Sequence, residues 1–130
     1  MVAVDTNILV RLLTHDDEDQ FKTVFVLFRH EDIFIPDTVW VETEWVLRFA
    51  YKFNAHEINQ SFRKLLALQN VRTSDAKRIL QVLEWHEAGL DFADAFHLSV
   101  SIGADSFQTF DRAFIKKAEG LGGCLVKHPE

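Results

Sequence analysis

Short apolar runs alternate along this chain with segments whose apolar residues recur at helical spacing, and two of those runs end directly on an aspartate. Val2 to Val4 leads into Asp5-Thr6-Asn7, after which Ile8, Leu9, Leu12 and Leu13 take up the spacing of a helix. Ser106 to Phe110 leads in the same way into Asp111 and a short helix from Arg112 to Glu119. Strands that alternate with helices or helix pairs predict a mostly parallel sheet covered on both faces. The expected fold class is therefore α/β, a three-layer domain with a mostly parallel central sheet flanked by helices. In such sheets the functional crevice lies beyond the carboxyl ends of the strands, which is where Asp5 and Asp111 fall.

The segments between fill in the same pattern. The acidic stretch Asp16 to Asp19 opens a helix to about His30, where acids in the first turn suit the helix dipole. A strand follows over 32–36, then helices over 38–51 and 55–68 and a brief strand over 71–73. Ser74 or Asp75 caps a helix closed by Gly89, and Asp91 opens another closed by Gly103. A last strand runs from Cys124 to Lys127, with Cys124 expected as a buried thiol.

At 130 residues, 48% of them hydrophobic, the chain supports one sizeable core, and a single domain over 1–130 is expected. No apolar segment approaches the roughly 20 residues that span a bilayer, and a lone cysteine forms no intramolecular disulfide, so a cytoplasmic protein is expected. A net charge of −6 argues against a polyanionic partner unless the acids are gathered in one place.

Four acids stand out, and three have an ordinary structural explanation. Asp5 and Asp111 each end a strand before a helix, and Asp94 lies in the first turn of the helix opened by Asp91, so capping and dipole effects account for each singly. Glu42 is harder to dismiss, because it falls in line with Val39, Val46, Phe49 and Phe53 on an otherwise apolar helical face. A carboxylate there must be paired, protonated or bound to a cation. Glu44, four residues before Arg48, reads instead as a surface ion pair.

Several carboxylates converging on one crevice need a compensating positive charge. Oxygen-only donors favour Mg2+ or Mn2+ over zinc, and histidines 15, 30, 56, 86, 97 and 128 lack the pair spacing of a zinc site. His97, one turn after Asp94, reads as a core or rim residue.

The ordered set Val2-Ala-Val-Asp-Thr-Asn7, Val41-Glu-Thr-Glu-Trp-Val-Leu-Arg48, Asp91-Phe-Ala-Asp-Ala-Phe-His-Leu98 and Thr109-Phe-Asp-Arg112 resembles the PIN-domain family, especially its VapC-like toxins. The resemblance implies a PIN-like fold and an acidic quartet of Asp5, Glu42, Asp94 and Asp111 that binds metal and carries catalysis, with Asp5 and Asp94 the firmest ligands. It implies supporting roles for Thr6, Asn7 and Thr109; Arg11, Arg48, Lys52, Arg112, Lys116 and Lys117, which flank the acidic segments, are candidate phosphate contacts, with a solvated helix surface as the ordinary reading of each. It further implies a Mg2+- or Mn2+-dependent endoribonuclease that hydrolyses RNA phosphodiester bonds, the toxin of a toxin–antitoxin pair, with a cognate antitoxin and a homodimeric state. The alternatives are a PIN-like module that binds RNA or protein without cutting, and a structure-specific DNA nuclease. A haloacid-dehalogenase-type phosphotransferase is disfavoured by Asn7, where that family places a second aspartate.

Overall fold

The apolar run at the N-terminus forms β1 (Val2–Ala3), which pairs in parallel with β2 (Ile33–Phe34), itself parallel to β3 (Val71–Arg72). The computed structural model describes residues 1–130, which cluster into two compact units, 1–76 and 77–130. In the first unit the strand order is β1-β2-β3, with Val2 opposite Ile33 and Ile33 opposite Val71. The regular strands are shorter than the sequence suggests, yet backbone bonds from Val4 to Phe34 (3.2 Å) and from Ile35 to Arg72 (2.9 Å) continue the pairing beyond their ends.

The crossovers are helix pairs, as parallel neighbours require. Between β1 and β2 run α1 (Thr6–Thr14) and α2 (Glu18–His30); between β2 and β3 run α3 (Asp37–Ala50) and α4 (Ala55–Ala67). Local chemistry sets their ends. His15 closes α1 in the left-handed region (φ 53°), and Asp17 caps α2 by accepting from the Gln20 amide. Asn54 and Glu57 form a reciprocal capping box on α4. The acidic stretch thus has the structural role its sequence suggested.

The inward faces of these elements supply Leu9, Ile33, Ile35, Trp40, Leu47, Ile58 and Phe62, all fully buried. Trp40 meets Phe62 edge to face at 5.0 Å, and its indole N–H donates to Thr73 at 3.3 Å, so the large ring is buried without an orphaned donor. Burial of each such side chain stabilises the fold by about 1.5–3 kcal/mol.

The second unit carries α5 (Ala76–Glu87, which starts at the unit boundary), α6 (Phe92–Val100), β4 (Ser106–Gln108), α7 (Arg112–Ala118) and β5 (Leu125–Lys127). Strands β4 and β5 are parallel, with Phe107 opposite Val126. Gly89 follows α5 at φ 111°, a conformation that suits glycine, as the sequence predicts. Gly103 does not close α6; the helix ends at Val100, and Ser101 turns the chain by donating its amide to Leu98 and its hydroxyl to His97. Cys124 precedes β5 and is half-buried, not a core thiol. All strand pairings being parallel and linked through helices, the α/β class is observed as expected.

Candidate active site

In the first unit, the chain turns out of β1 at Asp5, whose Oδ1 caps α1 by accepting from the Ile8 amide at 3.2 Å. The next residue, Thr6, is buried, and its hydroxyl donates to Oε1 of Glu42 on α3. Two candidate acids are thereby tied to the same turn: Asp5 by its position and Glu42 through its neighbour. Asp5 and Glu42 are both exposed.

The expected assignment of the two glutamates on α3 is reversed. Glu42 lies on the exposed side, whereas Glu44 is 2% exposed and receives two bonds from Arg48, the shorter at 2.7 Å. The apolar spacing that suggested a buried Glu42 includes Phe49, which is half exposed and packs on Trp45 at a 44° tilt, 4.8 Å between centroids. Glu42 meets its need for a partner through Thr6, and Glu44 meets its own through Arg48.

Arg11 is likewise engaged within the unit. It donates to Gln20 at 2.6 Å, to Asp16 at 3.2 Å and to the Tyr51 hydroxyl at 3.2 Å. The Tyr51 hydroxyl donates in turn to Asp16 at 2.6 Å, and that bond, aided by Thr14 and Arg11, holds the Asp16 carboxyl below its ordinary range. Asp5, Asn7, Ile8 and Arg11 form one wall of a cavity of about 410 Å3, with Asp19, Gln20, Thr23 and Val24 of α2 opposite.

In the second unit, Asp91 caps α6 by accepting from the amide of Asp94 at 3.1 Å, as its sequence position suggests. Burial pushes the Asp94 carboxyl above the usual aspartate range, and the negative charges of Asp91 and Asp111 push it further, with His97 and Lys117 opposing. Asp111 caps α7 through the Phe114 amide at 3.1 Å, while its own amide donates to the Thr109 hydroxyl at 3.0 Å. Thr109 is pinned by its amide bond to the Lys127 carbonyl at 3.0 Å. His97 is exposed, its ring lying parallel to that of Phe107 at 6.2 Å.

The donors available are carboxylate oxygens, which suit a hard divalent cation such as Mg2+ or Mn2+. The mutual repulsion of Asp94 and Asp111 is what such a cation relieves. Within neither unit do three His, Cys, Asp or Glu side chains close on a point tightly enough to grip an ion unaided.

Residues 2–120 match the family model of the PIN domain. The chain belongs to the PIN-domain family. The family is one of nucleases that act on nucleic acids, typically with divalent metals, so the chain has a nuclease-type fold. No curated protein matches the chain. No helix is long and apolar enough to cross a membrane.

Proposed function

We propose that this PIN domain is a Mg2+- or Mn2+-dependent endoribonuclease of the VapC-like kind, the toxin of a toxin–antitoxin pair. In this reading, residues 1–130 act as one domain in the cytoplasm. The metal-holding and catalytic carboxylates are those the sequence resemblance assigns, Asp5, Glu42, Asp94 and Asp111. The observation that carries the reading is the state of Asp94: a partly buried carboxyl whose acidic neighbours, Asp91 and Asp111, disfavour its charge, at a position that the sequence resemblance assigns to the acidic quartet.

A bound divalent ion supplies a lowered water pKa and charge compensation at the scissile phosphate. The chain's own residues do the positioning. Thr6 fixes the Glu42 carboxylate through its hydroxyl, and the cap that Asp5 makes on α1 leaves its second oxygen available. The Phe114 amide holds the Asp111 carboxylate, while the Thr109 hydroxyl accepts from the Asp111 backbone amide and fixes the turn that carries it. In-line hydrolysis by such a site leaves a 5′-phosphate and a 3′-hydroxyl. Asn7 lines the cavity beside Asp5 as a supporting polar group.

The exposed pair Trp45 and Phe49, whose rings pack at a tilt, supplies apolar surface for the homodimer that this reading includes. The antitoxin is the partner that holds the nuclease inactive. The testing experiment is digestion of total RNA by the purified chain with Mn2+ or Mg2+, beside EDTA and the Asp5→Asn and Asp94→Asn variants. Metal-dependent cutting lost in both variants supports the ribonuclease. Cutting that persists in both removes the quartet from the mechanism, and absence of cutting with metal bound points to a module that binds without cleaving.

A further inference from the structure

Next to Asp111 the second unit carries a surface in which none of the four candidate carboxylates takes part. Arg112, Ile115, Lys116 and Glu119 fall on one face of the last helical segment, at the spacing that stacks side chains turn over turn. With His128, which follows β5, they line an open cavity of about 450 Å3, within the size range of small-ligand sites. Arg112 and Lys116 are exposed, and neither makes an ion pair. They differ in this from Arg11 and Arg48, whose guanidinium groups are already taken up by Asp16 and Glu44.

An exposed aromatic ring touches one wall of this cavity, at His128. Phe110 is 77% exposed, and the edge of one ring meets the face of the other where it packs on His128, 5.1 Å between centroids at 77°. A single exposed phenylalanine is ordinary. This one immediately precedes Asp111, lies two residues before Arg112 in the chain, and is braced by His128, which lines the cavity together with Arg112 and Lys116.

We propose that this cavity, together with the Phe110 ring packed on its His128 wall, is a strand-binding subsite for single-stranded RNA, in which Phe110 stacks a base and Arg112 and Lys116 bind phosphate oxygens. The proposal rests on the ribonuclease reading for its assignment to the nucleotide that adjoins the cut. An exposed ring beside cations is the arrangement that binds single strands, since every base offers a π-face and every linkage a charge. A duplex keeps its bases stacked on one another and away from the ring. An acidic peptide would use the cations and have no need of Phe110.

The test measures binding apart from cleavage. Fluorescence anisotropy of a labelled short oligouridylate is followed with the full chain in EDTA, beside an abasic strand of equal length and charge. Phe110→Ala is expected to weaken the oligouridylate about tenfold and leave the abasic strand unchanged, in keeping with the loss of one base–aromatic stack. Arg112→Gln with Lys116→Gln is expected to weaken both strands, and to flatten the slope of log affinity against log salt by about 1.4, roughly 0.7 per phosphate contact. These positions are exposed, so the variants keep the core. Equal effects of Phe110→Ala on the two strands, or none on either, overturn the subsite. So does a polyglutamate peptide that competes as well as RNA does and is insensitive to Phe110→Ala. Ring-dependent binding without metal-dependent cleavage defeats the ribonuclease reading and keeps the strand site; cleavage without ring-dependent binding does the reverse.

Discussion

The hydroxyl of Thr6, at the start of α1, donates to the carboxylate of Glu42, 36 residues further along the chain on α3. The bond joins the turn that carries Asp5 to the helix that carries the second acid of the first unit. Its donor is buried while the acid it holds is exposed, so the hydroxyl aims a carboxylate that faces solvent.

Thr6→Val removes that donor while keeping the side chain's shape. The expected result is a fall in Mn2+ affinity of about 10-fold, the lower end of what loss of a ligand-orienting bond does, with about 1 kcal/mol of stability lost. Thr6→Ser restores the hydroxyl and is expected to recover most of the affinity. Calorimetric titration with Mn2+ reads the affinity and urea unfolding the stability; equal affinity in all three proteins refutes the positioning role.

Arg48 is expected to matter for stability more than its half-exposed position suggests, because it satisfies the buried Glu44. Arg48→Met leaves that carboxylate without its charged donor, at a cost of about 2–3 kcal/mol. Combining it with Glu44→Gln removes the unpaired charge, so the double variant should lose less than the sum of the two single losses. Urea denaturation of the four proteins gives the coupling, and strict additivity would show that the pair is not the source of the loss.

Much of this was legible in the sequence because it was local. Asp5, Asp91 and Asp111 cap the helices they precede, and Glu44 pairs with Arg48 at the expected four-residue spacing. Which side of α3 is buried was not legible. Spacing shows that Glu42 shares a stripe with apolar residues, but burial depends on what packs against the helix, and Phe49 on that stripe is half exposed. The Thr6–Glu42 bond joins residues too far apart in sequence for any local pattern to register it. Similarly, the packing of Phe110 on His128, and the cavity that His128 shares with Arg112 and Lys116, depend on where the segment after β5 runs, which periodicity does not specify.

Gly123 was also silent in the sequence, and the structure gives it a steric role. A Cβ there would lie 2.8 Å from Cγ and 2.9 Å from Cδ2 of Leu98, a fully buried side chain of α6 with little room to yield. Gly123→Ala is therefore expected to destabilise the fold by about 1–3 kcal/mol, the range for overpacking. Gly103→Ala is the control, since nothing lies within 4 Å of its added carbon. Thermal unfolding should separate the two, and similar melting temperatures would contradict the crowding.

The raised pKa of Asp94 makes a signed prediction about pH. The unfolded chain releases this proton near the ordinary aspartate value of about 3.9, while the folded chain retains it to higher pH because of burial and the charges of Asp91 and Asp111. Between those two values the folded state binds more protons, so the stabilising contribution of this group is full below the lower value and declines as pH rises through the window. Without metal, Asp94→Asn should flatten that decline and melt at or above the wild-type temperature at neutral pH. With Mn2+ the order should invert: a ligand that binds only the folded state stabilises it by about 2.7 kcal/mol at 100 times its dissociation constant, and the variant loses that benefit. Melting curves with EDTA and with Mn2+ across the acidic range test both halves. A variant that is less stable than wild type in EDTA and equally stabilised by Mn2+ would mean that Asp94 is a structural acid.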